Sequence, residues 1–282
     1  LKAYANANGV RIVGDMPIYV AYDSADVWCH PDLFLLADRL IPTVVAGVPP
    51  DCFSATGQLW GNPIYDWDAM RADGYRWWIE RLNAAGALFD IVRIDHFRGF
   101  ESFYTIPYGR PDACVGEWVK GPGMALFDVL QASCDTAVIA EDLGLLDDDV
   151  RAMVRATGYP SMKVLEFGLD GDSTNEYLPH NYPVNCIAYT GTHDNDTALG
   201  WFNALPALRR RRVRLRTRRL FGSPVPGMIR MLFRSRAKYV VIPMQDFLNL
   251  DSAARMNTPS TLGGNNWRWR LTILPETIEY RT

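Results

Sequence analysis

Short runs of β-branched or continuously apolar residues, at 10–14, 91–94, 137–140, 162–167, 186–190 and 239–244, alternate with longer stretches of helical periodicity. Continuous apolar runs suit strands covered on both faces, whereas a strand with one wet face alternates in polarity. The stretches between them predict helices over 68–85, 122–133, 147–156 and roughly 205–220. In the first of these, Trp77, Trp78, Ile79 and Leu82 share one side while Asp73, Arg76 and Glu80 face water. Asp147, Asp148 and Asp149 put negative charge at a helix N-terminus, where the backbone dipole favours it. Repeated strand–helix–strand order calls for a parallel sheet with helices packed outside. No GxGxxG follows any of the strands, which argues against a dinucleotide-binding sheet. The fold class expected is therefore α/β, most of a (β/α)8 TIM barrel.

In such a barrel the chemistry sits at the C-terminal ends of the strands. Asp15 follows the first run, Asp95 the second, Glu141 and Asp142 the third, and His193-Asp194-Asn195-Asp196 the fifth. A single carboxylate past a strand is often only a helix cap or a turn former. Four strands delivering carboxylates to one rim is a different matter, because like charges cost stability unless a site uses them. Arg93 lies two residues before Asp95, so on a strand both side chains point the same way. A guanidinium there would keep Asp95 ionised, as a nucleophile requires, or would form a structural ion pair at the rim. His96 should point the other way and serve as a packing histidine, whereas His193 is the better candidate for binding a hydroxyl. Paired carboxylates are what glycosidic chemistry needs: one acid of raised pKa protonates the leaving oxygen, and the other stabilises or attacks the anomeric carbon. Composition and spacing lead to a barrel-type enzyme with an acidic site, and stop there.

The formal net charge of −3 is too small to make nucleic acid or an acidic membrane surface the expected partner. Nine Trp, thirteen Tyr and twelve Phe are unusual; they stack on sugar faces or fill cores, and core filling is the commoner use. The five cysteines form no CxxC pair, so neither a disulfide framework nor a zinc site is indicated, and scattered thiols suit a reducing, cytoplasmic compartment. No apolar stretch reaches the roughly 18 residues that span a bilayer. No metal and no cofactor is expected. The opening residues 1–6 read as the end of a helix already in progress, as in a piece of a longer chain.

These residues also resemble a known family. Gly14-Asp15-Met16-Pro17-Ile18-Tyr19-Val20, Val92-Arg93-Ile94-Asp95-His96-Phe97-Arg98-Gly99-Phe100, Ala140-Glu141-Asp142-Leu143-Gly144 and Thr192-His193-Asp194-Asn195-Asp196-Thr197 are similar, in order, to the signatures of 4-α-glucanotransferases (amylomaltases, glycoside hydrolase family 77). Gly57-Gln58-Leu59-Trp60-Gly61-Asn62-Pro63 and Asn266-Trp267-Arg268-Trp269-Arg270 join them. The resemblance implies Asp95 as nucleophile, Glu141 as general acid/base and Asp194 as the carboxylate that stabilises the transition state. It implies substrate contacts for Asp15, Arg93, His193 and Asn257, and for Phe53, Gln58 and Trp60 on a lid-like insertion near 43–66. Trp60 is expected on a loop over the cleft; alternatively it anchors only its own segment. The partners implied are α-1,4-glucans and maltooligosaccharides.

The resemblance begins near the third barrel strand, so about strands 3 to 8 are expected within one partial barrel domain over 1–282. Six strands cannot close an eight-stranded barrel, and the chain alone is expected to be unstable or inactive. Ser260 stands where the family usually has Gly, a cost if the turn needs φ > 0. The basic run 209–219 reads as a solvated outer helix rather than a nucleic-acid patch. The readings that compete with glucan transfer are an α-amylase-like retaining hydrolase and an inactive glucan-binding fragment.

Overall fold

The computed structural model describes residues 1–50, 54–144, 146–169 and 171–278. The fold is mixed α/β and divides into two compact units, Leu1–Met162 and Lys163–Thr282. The strands are β1 Val13–Met16, β2 Val44–Val48, β3 Gln58–Pro63, β4 Ile91–Ile94, β5 Ser102–Pro107, β6 Glu117–Lys120, β7 Ala137–Ala140, β8 Ser161–Val164, β9 Cys186–Tyr189 and β10 Tyr239–Val241. Among the described residues, no helix is long and apolar enough to cross a membrane.

In the first unit, β1, β4 and β7 form a parallel sheet in that order. Their register sets Asp15 against Arg93 and Arg93 against Ile139. Val92, Ile94, Ile139 and Ala140 are buried, as expected for strands covered on both sides. The helix expected over 68–85 is two, Trp67–Ala72 and Arg76–Leu88. The break falls at Gly74 and Tyr75, both with positive φ (73° and 57°), and periodicity alone does not register such a turn. Asp66 caps the first piece by accepting from the N–H groups of Asp68 and Ala69. Trp77, Trp78 and Leu82 of the second are buried. They join Tyr65, Trp67, Phe97, Phe100 and Phe127 in one aromatic-rich core, so much of the aromatic content fills space. The helix Asp148–Thr157 starts where the acidic run predicts, with the Asp147 carboxylate accepting from the N–H of Val150 at 2.9 Å.

An antiparallel sheet of order β3-β2-β5-β6 also lies in this unit. The sequence reading places no strand there, because Pro42, Gly47, Pro49 and Pro50 punctuate the segment like a loop. Gly47 is required: a Cβ would lie 2.3 Å from the carbonyl oxygen of Gln58 across the ladder.

The division between the units falls inside β8, whose sheet has the order β10-β9-β8, with β9 and β10 parallel. In the second unit Phe202, Val213, Val225, Met228 and Leu232, from the helices Ala198–Ala204, Ala207–Arg216 and Val225–Phe233, form a core with Leu165 and Tyr182. The basic run lies largely on the helix Ala207–Arg216, which buries only Val213. Arg214 and Arg216 of that helix donate to backbone carbonyls of Gly222 and Gly171.

Candidate active site

Three neighbouring parallel strands bring four charged side chains of the first unit together. Beyond the ends of the strands the ladder continues: the N–H of Asp95 donates to the carbonyl of Met16 at 2.9 Å, and that of Glu141 to the carbonyl of Ile94 at 3.1 Å. Arg93, central in this row and buried, binds Asp15 through Nη1 at 2.6 Å and Asp95 through Nη2 at 2.8 Å. Its Nε contacts Sδ of Met162 at 3.3 Å. Burial works against the guanidinium charge, but Asp95, Asp15 and Glu141 together outweigh it and hold Arg93 firmly protonated. The same-face placement of Arg93 and Asp95 follows the strand periodicity. Asp15 is an exception to the expected position: it lies inside β1, not beyond it.

Glu141 is in a different state. Both its carboxylate oxygens accept backbone hydrogen bonds, Oε2 from His96 at 2.8 Å and Oε1 from Leu143 at 2.9 Å. Burial and the charge of Asp95 nonetheless push its pKa up to about 7, against the opposing pull of Arg93 and the two N–H groups. A carboxyl poised near neutrality serves equally as proton donor and acceptor.

The His96 ring packs, as its sequence position suggests, but its backbone takes part in the site. Its backbone is left-handed (φ 51°, ψ 49°), which turns its N–H onto Glu141. Its ring meets Trp60 edge-to-face at 4.8 Å, and burial lowers its pKa to about 4 although Asp95 favours the charged form. Pro17, Ile18, Tyr19, Trp60, Asn62, Asp95 and His96 line a cleft of about 150 Å³. Trp60 stands on β3 rather than on a loop, half-exposed, its Nε1 donating to Oε1 of Gln58 at 3.1 Å. Phe53 lies outside the described residues.

In the second unit the loop 191–197 carries His193 and Asp194. The Asn195 side chain accepts from the N–H and hydroxyl of Thr192, folding the loop on itself. Asn257 donates through Nδ2 to Oδ1 of Asp194 at 2.6 Å, and His193 Nε2 lies 3.4 Å from Oδ2. Arg255 ties the pair together, donating to the carbonyls of Asp194 and Asn257 at 2.7 and 2.8 Å. Trp267 packs on the His193 ring at 5.2 Å. Ser260 has φ of 60°, a left-handed backbone that a glycine would adopt with less strain.

The family profile described as 4-alpha-glucanotransferase matches residues 1–275. The chain belongs to the 4-alpha-glucanotransferase family. The 4-alpha-glucanotransferase of Streptococcus pneumoniae is 52% identical over 275 residues, which are 96% of this chain and 54% of that protein. A chloroplastic/amyloplastic 4-alpha-glucanotransferase of Solanum tuberosum is 47% identical over 96% of this chain and 47% of its own length. The solved amylomaltase of Streptococcus agalactiae in complex with acarbose superimposes with a TM-score of 0.91 at 41% identity, covering 96% of this chain and 55% of that one. The chain thus spans about half the length of the relatives it matches.

Within this chain, the residues singled out by motif fall into two groups. Asp15, Arg93, Asp95 and Glu141 sit side by side, with Trp60 and Gln58 on the nearby hairpin; His193, Asp194 and Asn257 are joined by hydrogen bonds. Sequence reasoning passed over Tyr19 and Asn62, although both stand inside quoted motifs. It also passed over Asp246, which accepts from the Thr190 hydroxyl and from the N–H of Ala198 at 2.8 Å, pinning both ends of the loop 191–197. Only long-range pairing exposes that role, and no local pattern signals it.

Proposed function

We propose that this chain carries the catalytic residues of a 4-α-glucanotransferase that moves α-1,4-linked glucan segments from a donor maltooligosaccharide or starch to an acceptor sugar. Asp95 attacks the anomeric carbon of the donor while Glu141 gives its proton to the departing glycosidic oxygen, leaving a glycosyl ester on Asp95. Glu141, now a carboxylate, then takes the proton of the acceptor hydroxyl as its oxygen displaces Asp95 and restores the α-linkage. Asp194, with His193 and Asn257, holds hydroxyls of the donor sugar and favours the oxocarbenium-like ring. Asp15 and Arg93 border the donor position.

The observation that carries the reading is the difference in surroundings of two neighbouring carboxyls: Asp95 lies on the Arg93 guanidinium at 2.8 Å, while Glu141 is brought to about 7. Two such environments are what acid/base and nucleophile require of chemically similar groups. We place β1, β4, β7, β8, β9 and β10 in one (β/α)8 barrel domain over 1–282, a proposal supported by parallel strands, intervening helices and carboxyls at the strand ends. The segment 43–66 would act as the covering insertion, with Trp60 shielding the intermediate from water and so favouring a sugar acceptor.

Incubation of the complete enzyme with maltotriose tests the reaction. Glucose together with a ladder of longer maltooligosaccharides is expected; a pool of short sugars that only shrinks would replace transfer with hydrolysis. Acarbose, the ligand of the Streptococcus agalactiae relative, is expected to compete with maltotriose.

A further inference from the structure

Glu166 belongs to neither group above, yet its surroundings are unusual. It lies in the short helix Leu165–Gly168 that follows β8, and only 5% of it is exposed. Among the described residues, no hydrogen bond reaches its Oε1. That oxygen faces Gly191, the first residue of the loop bearing His193 and Asp194: a Cβ built on Gly191 would lie 3.1 Å from it. The Glu166 N–H reaches the carbonyl of Thr190 at 3.3 Å, so backbone and side chain both meet the root of that loop. Three ionisable groups lie within electrostatic reach of it: Asp246, which pins the loop ends; Asp196, which accepts from Ser252 Oγ at 2.6 Å; and Arg255.

We propose that Glu166 is a positioning residue for the Asp194 loop, its buried carboxyl seated against Gly191 so that the loop is held in register. The functional weight of the proposal rests on the role given to Asp194 above. A carboxylate in this place would be buried without a donor and would face two others, so the group is kept as the neutral acid. Burial raises its pKa well above the ordinary value, Asp246 and Asp196 add to the effect, and Arg255 opposes it. Arg255 is also the guanidinium that holds the carbonyls of Asp194 and Asn257. An ionised Glu166 would draw on that same cation and loosen both contacts. Neutral Glu166 leaves Arg255 to the loop.

Two measurements on the complete enzyme test this. Carbon-13 NMR of labelled Glu side chains, assigned by comparison with Glu166→Gln, should show Glu166 protonated at neutral pH; a Glu166 resonance titrating in the ordinary carboxylate range would overturn the proposal, whatever the reaction proves to be. Michaelis parameters across pH supply the second readout. Glu166→Gln, neutral at every pH and nearly the same shape, should keep its neutral-pH kcat within about twofold. It should also lose less activity than the parent on the alkaline side. Glu166→Ala should lower kcat on the order of 10–100-fold with a smaller change in KM, as expected when a transition-state contact is misplaced. Superimposable pH profiles for the parent and Glu166→Gln would overturn the proposal even if Glu166→Ala fails to fold. Failure of the functional reading is distinguishable, because it would show as unchanged turnover in Asp194→Asn with the Glu166 titration still as described.

Discussion

The carboxyl groups at the ends of β4 and β7 and those around the loop 191–197 meet different partners. In the first unit a buried arginine and backbone N–H groups meet every rim carboxyl, so Asp15 and Asp95 have a cation and Glu141 has two donors. In the second, Glu166 has no donor at Oε1 and Asp246 is held by one hydroxyl and one N–H. Burial raises the pKa of Glu141, Glu166 and Asp246 alike; Arg93 and two backbone N–H groups oppose it at Glu141, which stands at about 7, whereas Arg255 opposes it at Glu166 and the Thr190 hydroxyl and Ala198 N–H at Asp246. Burial raises the pKa of a carboxyl, and the donors and cations placed around it decide how far that rise is opposed.

Removing either member of the Asp95–Glu141 pair should have the largest effect. Asp95→Asn is expected to abolish turnover of maltotriose, and Glu141→Gln to lower kcat about 10²–10⁴-fold, the range for loss of general acid/base catalysis. Equal, small losses in both would collapse the distinction between the two carboxyls.

Arg93→Met sharpens the electrostatic half of the comparison. Without the guanidinium, Asp95 and Asp15 lose their partner and Glu141 loses a cation that lowers its pKa. The alkaline limb of kcat/KM should therefore move to higher pH, while kcat falls roughly 10²-fold through misplacement of Asp95. An unmoved limb would show that Arg93 only packs.

The pH dependence of stability follows from the same state of Glu141. Its folded pKa lies above its ordinary value of 4.5, so the native state holds the extra proton between about 4.5 and 7. Stability from this group is present below that window and lost as pH rises through it. Thermal unfolding of Glu141→Gln should show a flatter slope across the window, by an amount on the order of 2–3 kcal/mol. Parallel slopes would mean that the carboxyl is already ionised.

The smallest expected effect concerns backbone, not charge. Ser260→Gly should relieve the left-handed residue at φ 60° and stabilise the chain by about 0.5–1 kcal/mol, visible as a rise of a few degrees in Tm. Turnover should be unchanged.

The sequence by itself determined where β4 and β7 lie, because a run buried on both faces is written locally as an unbroken apolar stretch. It also placed Asp95 and Glu141 just past those strands and Arg93 on the same face as Asp95, since strand periodicity is a property of the backbone. Tertiary structure decided the rest. It set Arg93 between Asp15 and Asp95, turned the His96 N–H onto Glu141, split one expected helix at Gly74 and Tyr75, and built a sheet from β2, β3, β5 and β6 where loop-like residues stand. It also brought Asp246 to both ends of the Asp194 loop and Glu166 to its root. These are pairings between residues far apart in the chain. Their energies depend on burial and on which charges become neighbours, and both come into being only when the chain closes on itself.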